Sequence, residues 1–173
     1  MIEVRIHGRG GQGAVTAAQL LAIAAFHDGK YAQAFPFFGV ERRGAPATSF
    51  VRIDDKPINA RDQIYEPDYV IVFDPSLVEL VDAKKGVKEE VLVNTNDKIE
   101  GCYGQDLTDK ALRIFGAPII NTLVLGMFAG KTGVVSLESL KKAIDQKFGN
   151  KGNLAELNKQ AIEEAYNEAR EKS

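Results

Sequence analysis

Hydrophobic and polar positions change period several times along the chain. Ile2, Val4 and Ile6 alternate with polar residues and run into glycine at Gly8, which predicts a strand closing in a turn. Residues 14–26, AVTAAQLLAIAAF, are rich in alanine and leucine over a length that suits a helix, and Gly29 provides its stop. A short strand over 31–34 should follow, then a segment without clean period, FPFFGVERRGAP at 35–46, that reads as a shaped loop. Alternation returns over 48–53, and the turn Asp54-Asp55-Lys56-Pro57 suggests that this strand lies antiparallel to its neighbour.

The second half has a different rhythm. YVIVF at 69–73 is nearly continuous in apolar residues, the pattern of a strand buried on both faces. Asp74-Pro75-Ser76 then opens a short helix, and residues 91–93 give another strand. Helices are predicted over 108–115, capped by Asp106 or Thr108, and over the apolar stretch 121–129. Ser136 caps a helix with apolar residues at 137, 140, 144 and 148, Gly149 and Gly152 interrupt it, and a last helix covers 154–169. No repeat or interdomain linker interrupts the chain. The expected architecture is a single α/β domain over residues 1–173, three α/β/α layers around a mostly parallel, mixed sheet.

Composition narrows the chemistry. The 173 residues carry 22 basic and 24 acidic side chains, a net charge of −2 with no long run of either sign, so nothing marks a nucleic-acid groove or a membrane surface. One cysteine, Cys102, excludes an internal disulfide, a zinc ribbon and a four-thiolate iron–sulfur cluster held by this chain alone. The only histidines are His7 and His27, which makes a structural metal site unexpected. The first residues lack the basic segment and apolar core of a signal peptide, and a cytoplasmic location is expected.

Two loops carry the candidate chemistry. His7-Gly8-Arg9-Gly10-Gly11-Gln12-Gly13 follows a strand and opens a helix, and satisfies G-x-G-x-x-G at Gly8, Gly10 and Gly13. Glycines let backbone approach an anion closely, and free N–H groups at a helix N-terminus stabilise negative charge. Phosphate or pyrophosphate binding is one reading; a tight strand-to-helix turn is the other. A nicotinamide site would also need an acidic residue about twenty positions on, at the end of the second strand. Residues 31–35 are YAQAF, and Asp28 precedes the strand.

In the second loop, Arg42 and Arg43 could clamp phosphate oxygens through their planar forks, or could be solvated, with Glu41 pairing one of them. If the first two strands are adjacent, this loop leaves the same end of the sheet as the glycine loop. Phe35, Phe37 and Phe38 read as an anchor under the loop or as a partner surface. His7 suits a partly buried structural role or a ligand contact. Asp74 and Asn121 suit helix capping or contact with the crevice. Cys102 has no basic neighbour in sequence and is expected to be unreactive.

Taken together, GRGGQG at 8–13 and FPFFGVERRGAPATSFVRIDDKPI at 35–58 closely resemble the gamma subunit of pyruvate:ferredoxin oxidoreductase, in the 2-oxoacid:ferredoxin oxidoreductase family. The likeness continues through YEPDYVIVFDPSL at 65–77 and NTLVLGMFAG at 121–130. The resemblance implies a subunit without catalytic residues of its own, assembled with alpha, beta and delta subunits. The complex converts pyruvate, CoA and oxidised ferredoxin to acetyl-CoA, carbon dioxide and reduced ferredoxin, or the reverse. Thiamine diphosphate, magnesium and 4Fe-4S clusters would belong to the partner subunits. On this resemblance, Gly10, Gly11, Gln12, Gly13 and Thr16 would receive phosphate groups of CoA, and Arg42 and Arg43 would add charge or position it. A nucleotide-binding oxidoreductase acting alone, a purely structural docking subunit, and a gamma subunit serving another 2-oxoacid are the alternatives.

Overall fold

A computed structural model describes residues 1–37 and 42–172. Its elements, in chain order, are β1 (Ile2–Arg9), α1 (Ala14–His27), β2 (Tyr31–Pro36), β3 (Pro46–Asp54), β4 (Tyr69–Val72), α2 (Leu77–Leu80), β5 (Glu90–Asn94), β6 (Cys102–Gln105), α3 (Leu107–Phe115), α4 (Leu123–Thr132), α5 (Leu137–Phe148) and α6 (Leu154–Glu171). The strands form one sheet in the order β2-β3-β1-β4-β5-β6. β1, β4, β5 and β6 pair in parallel, and β3 runs antiparallel to both β1 and β2. The sheet is therefore mixed, as expected.

The first two strands are not adjacent, because β3 lies between them, and that condition for placing the two loops together is therefore not met. The consequence drawn from it survives. Arg9 pairs with Pro46 and Pro36 with Ser49, so β1 and β2 end where β3 begins, and both loops leave the same end of the sheet. β6 has no counterpart among the predicted strands. Its sequence, CYGQ, neither alternates nor carries β-branched residues. Gly104 is required there because a Cβ would lie 2.7 Å from Cγ2 of Thr95.

Alternation decides which side chains meet on each face. Val4, Ile6, Val51, Ile53, Ile71 and Leu92 point into the main core, which α1, α4, α5 and α6 share. Helix α4 is buried from Leu123 to Gly130. Gly126 and Gly130 let α6 close on it, since a Cβ at either position would collide with the carbonyl of Ile162 or Tyr166. On the opposite face, Val70, Val72, Val91 and Val93 pack under Leu77 and Val78 of α2.

Next to that patch the sheet turns polar. Arg52 is almost fully buried; it donates through Nε to Glu3 Oε2 at 2.9 Å, through Nη1 to Gln33 Oε1 at 3.2 Å and through Nη2 to the Asp62 carbonyl at 2.7 Å. Its guanidinium also stacks 5.4 Å from the Phe35 ring centroid. This network, with Gln33 Nε2 donating to the Ala60 carbonyl and the Glu3 N–H to Asp68 Oδ2, ties the irregular segment 55–68 to β1, β2 and β3.

Two of the capping expectations, Asp106 and Ser136, hold. Asp106 accepts the Asp109 N–H and Ser136 accepts the Ser139 N–H. Asp28, set aside as a ribose contact, accepts hydrogen bonds from Ser136 and Ser139 and ties α1 to α5. Among the described residues no helix is long and apolar enough to cross a membrane.

Candidate functional site

The glycine loop is the seam between β1 and α1. Gly13 caps α1 in the left-handed region, φ 84°, and no side chain closes the helix start. The N–H groups of the first turn therefore lack intrahelical acceptors. Among the described residues, the N–H groups of Gly11, Gly13, Ala14, Val15 and Thr16 have no backbone acceptor, and no acid sits in that turn.

Gly10 is used differently. Its N–H donates to the Ala45 carbonyl at 2.8 Å, and its carbonyl accepts the Gly44 N–H at 3.0 Å. A Cβ on Gly10 would collide with the Arg42 carbonyl. Gly10 thus lets the 42–45 turn lie directly on the end of β1. Gln12 is also committed inside the loop: its N–H donates to the Arg9 carbonyl, and its Oε1 accepts the Arg9 N–H at 2.7 Å.

Arg43 forms a parallel bridge with Gly10, and its Cγ would lie 3.8 Å from a Cβ on Gly11. Arg42 and Arg43 are exposed, and neither guanidinium has a hydrogen-bond or ion-pair partner among the described residues. Both line a cleft of about 970 Å³ with Gly10, Gly11, Gly13 and Val15. Phe37 and Pro36 supply an apolar wall. That volume lies at the upper end of the ~300–1,000 Å³ typical of ligand sites. Thr16 stands on the first turn of α1 but does not line this cleft. Glu41 and Phe38 lie outside the described residues. Phe35 is an anchor, its ring 5.1 Å from that of Phe50, whereas Phe37 remains exposed at the cleft.

A smaller crevice of about 400 Å³ lies on the other side of the glycine loop, between Gly11, Gln12, Asp74, Asn94 and Ile119. It occupies the usual ligand position outside the carboxyl ends of parallel strands. Asp74 faces it and accepts from Ser76 N and Oγ and from Arg9 Nε. Burial alone would raise the Asp74 carboxyl, but these hydrogen bonds hold it below the ordinary carboxylate range. Asp74 is paired with Arg9 there, whereas Arg42, Arg43 and the N–H groups on the larger cleft have no such partner among the described residues. The larger cleft is therefore the better suited of the two to an anion.

His7 is buried. Arg5 Nε donates to its Nε2 at 3.0 Å, and its Nδ1 lies 3.2 Å from Thr48 Oγ1. Burial, reinforced by the nearby Arg5 charge, lowers its pKa to about 4, so the ring is neutral and structural. Asn121 is not the cap: α4 starts at Leu123, and its N-cap position is Thr122, which makes no side-chain cap hydrogen bond. Instead it presses on the glycine loop, its Nδ2 2.7 Å from where a Cβ on Gly13 would stand. Burial pushes the half-buried Cys102 thiol up, in keeping with an unreactive role.

Arg9 was missed as a site residue in the sequence. It donates to Asp74, to the Gly44 carbonyl at 3.0 Å and to Ser76 Oγ at 2.7 Å. Those acceptors lie 35 to 67 residues away, so no local signal marks them. Sheet order also removes the dinucleotide reading its usual frame, since β2 is not the neighbour of β1.

Residues 3–168 match the pyruvate ferredoxin/flavodoxin oxidoreductase family. The chain is 59% identical to pyruvate synthase subunit PorC of Methanocaldococcus jannaschii, an alignment covering 97% of each chain. It is 56% identical to the pyruvate/ketoisovalerate oxidoreductases common subunit gamma of Thermococcus kodakarensis, over 96% of each. The crystal structure of pyruvate oxidoreductase subunit PORC from Thermotoga maritima superposes with a TM-score of 0.79 at 35% identity, over 96% of this chain and 95% of that one. On sequence and on fold alike, this chain belongs to the pyruvate ferredoxin/flavodoxin oxidoreductase family.

Proposed function

We propose that this chain is the gamma subunit of a 2-oxoacid:ferredoxin oxidoreductase of the pyruvate type, folded as one domain over residues 1–173, and that it receives the phosphate groups of CoA. The observation that carries the second part is the convergence of Arg42, Arg43 and the unpaired N–H groups after Gly10 on one cleft. Fixed backbone donors at a helix start and mobile guanidinium forks are complementary means of holding phosphate oxygens. Gly11 and Gly13 contribute donors in this reading, whereas Gly10 and Gln12 shape the loop. Thr16, on the first turn of α1 but off the cleft wall, takes no part in this reading.

The reacting carbon centre lies elsewhere. With one cysteine the chain cannot supply the four thiolates of a 4Fe-4S cluster. Clusters, thiamine diphosphate and magnesium are assigned to alpha, beta and delta subunits, which also present the electrons to ferredoxin. In that cytoplasmic assembly this chain orients CoA for attack on the two-carbon unit and for release as acetyl-CoA. Positioning of this kind lowers the barrier by removing the entropy of encounter.

The oxoacid need not be pyruvate alone. The Thermococcus relative is described as common to pyruvate and ketoisovalerate enzymes, which favours a gamma subunit that reads CoA and leaves the oxoacid to its partners.

Calorimetric titration of CoA into the purified chain and into the assembled enzyme tests the proposal. Binding that weakens at least tenfold in the Arg42→Ala/Arg43→Ala variant is expected. Equal affinity with and without the two arginines would remove them from the site.

A further inference from the structure

We infer that Arg9, which borders the anion-binding cleft, is a positioning residue for it: its guanidinium is committed to protein acceptors and fixes where Arg43 stands relative to the start of α1. The inference rests on the CoA reading above and deepens it. Arg9 ends β1, and its guanidinium reaches in three directions. Nη1 holds the Gly44 carbonyl at 3.0 Å, Nη2 holds Ser76 Oγ at 2.7 Å, and Nε pairs with Asp74 Oδ2 at 3.3 Å. Asp74 is fixed in turn by the Ser76 N–H and hydroxyl. With every nitrogen committed, Arg9 is spoken for before any ligand arrives.

What it holds matters to the site. Gly44 is the αL residue, φ 83°, of the turn that carries Arg42 and Arg43. Among the described residues, Arg9 makes the one side-chain hydrogen bond to that turn; its other attachments are the backbone pair with Gly10. The brace therefore links the first parallel strand, the arginine turn and the β4–α2 turn. Without it the turn retains two backbone bonds and can swing, carrying Arg43 away from Gly11.

The role requires arginine. Lysine keeps the positive charge but offers a point donor on a flexible stem, and it cannot satisfy three divergent acceptors in one plane. Arg9→Lys therefore separates geometry from potential. A residue that acts only through charge would tolerate the change.

The test uses the assembled enzyme and compares steady-state kinetics for CoA in Arg9→Lys, Ser76→Ala and Arg42→Ala/Arg43→Ala. Arg9→Lys is expected to raise KM for CoA about tenfold, with kcat at saturating CoA and KM for pyruvate within about twofold, a loss of roughly 1.4 kcal/mol of binding. Ser76→Ala, which removes one acceptor and leaves Arg9 in place, should raise KM for CoA about two- to threefold. It decides the matter if Arg9→Lys fails to assemble. An unchanged KM for CoA in Arg9→Lys, or in Ser76→Ala where only that variant assembles, alongside a raised KM in the double arginine variant, overturns the positioning role and leaves the CoA reading intact. An unchanged KM in the double arginine variant overturns the CoA reading itself.

Discussion

Acidification from pH 6.5 to about pH 4 should cost this fold much of its stability through one side chain, His7. In the folded protein the ring is buried between Arg5 and Thr48, and its pKa falls from 6.5 to about 4. In the unfolded chain it titrates near the ordinary 6.5. Between those values the unfolded state binds the proton and the folded state does not, so stability rises with pH across the window and is flat above it. The difference of about 2.5 units corresponds to roughly 3 kcal/mol, a large share of the ~5–15 kcal/mol typical of a domain. The assay is urea denaturation of wild type and His7→Gln at a series of pH values. Glutamine has no such charge to acquire, so carboxylates that titrate in both proteins, Asp28 among them, cancel in the comparison. Wild type should lose about 3 kcal/mol more than the variant on going from pH 6.5 to pH 4. Parallel profiles would mean that His7 accepts its proton in place, and the buried neutral ring would be the wrong description.

Three further perturbations probe other joints of the structure. Arg52→Met should destabilise by about 3–5 kcal/mol in chemical denaturation, because Glu3, Gln33 and the Asp62 carbonyl lose their shared donor while the cation is removed from a buried pair; a loss below about 1 kcal/mol would mean that water replaces it freely. Gly10→Ala drives a methyl into the Arg42 carbonyl and should release the 42–45 turn, seen as faster amide exchange at Gly44; unchanged exchange would disprove the zipper between turn and strand. Gly126→Ala should cost about 1–3 kcal/mol by prying α6 from α4, read as a lower Tm, and an unaltered Tm would show that the helices can separate without penalty.

Much of this was legible in the sequence because the deciding interactions are local. Alternation at Ile2, Val4 and Ile6, the apolar run into Phe73, and the caps Asp106 and Ser136 each depend on neighbours a few residues away. The position of both candidate loops at one end of the sheet was also within reach. The insertion of β3 between β1 and β2 was not, since strand pairing over such separations leaves no periodic trace. β6 escaped because its pairing is held by β5 rather than by its own composition. The same limit hid the Arg9 brace and the buried Arg52 network, whose partners converge only when distant loops fold together. Asn121 read as a cap because an asparagine ahead of an apolar helix is usually one. Only the close approach of α4 to Gly13 shows its different place.

The central claim is that the cleft between the glycine loop and the arginine turn receives the phosphates of CoA. A structure of the assembled enzyme with CoA bound tests it most directly. The account predicts phosphate density within hydrogen-bond distance of the Gly11 or Gly13 N–H groups and of Arg42 or Arg43. CoA bound elsewhere, with this cleft filled by a partner subunit's side chains, would contradict it.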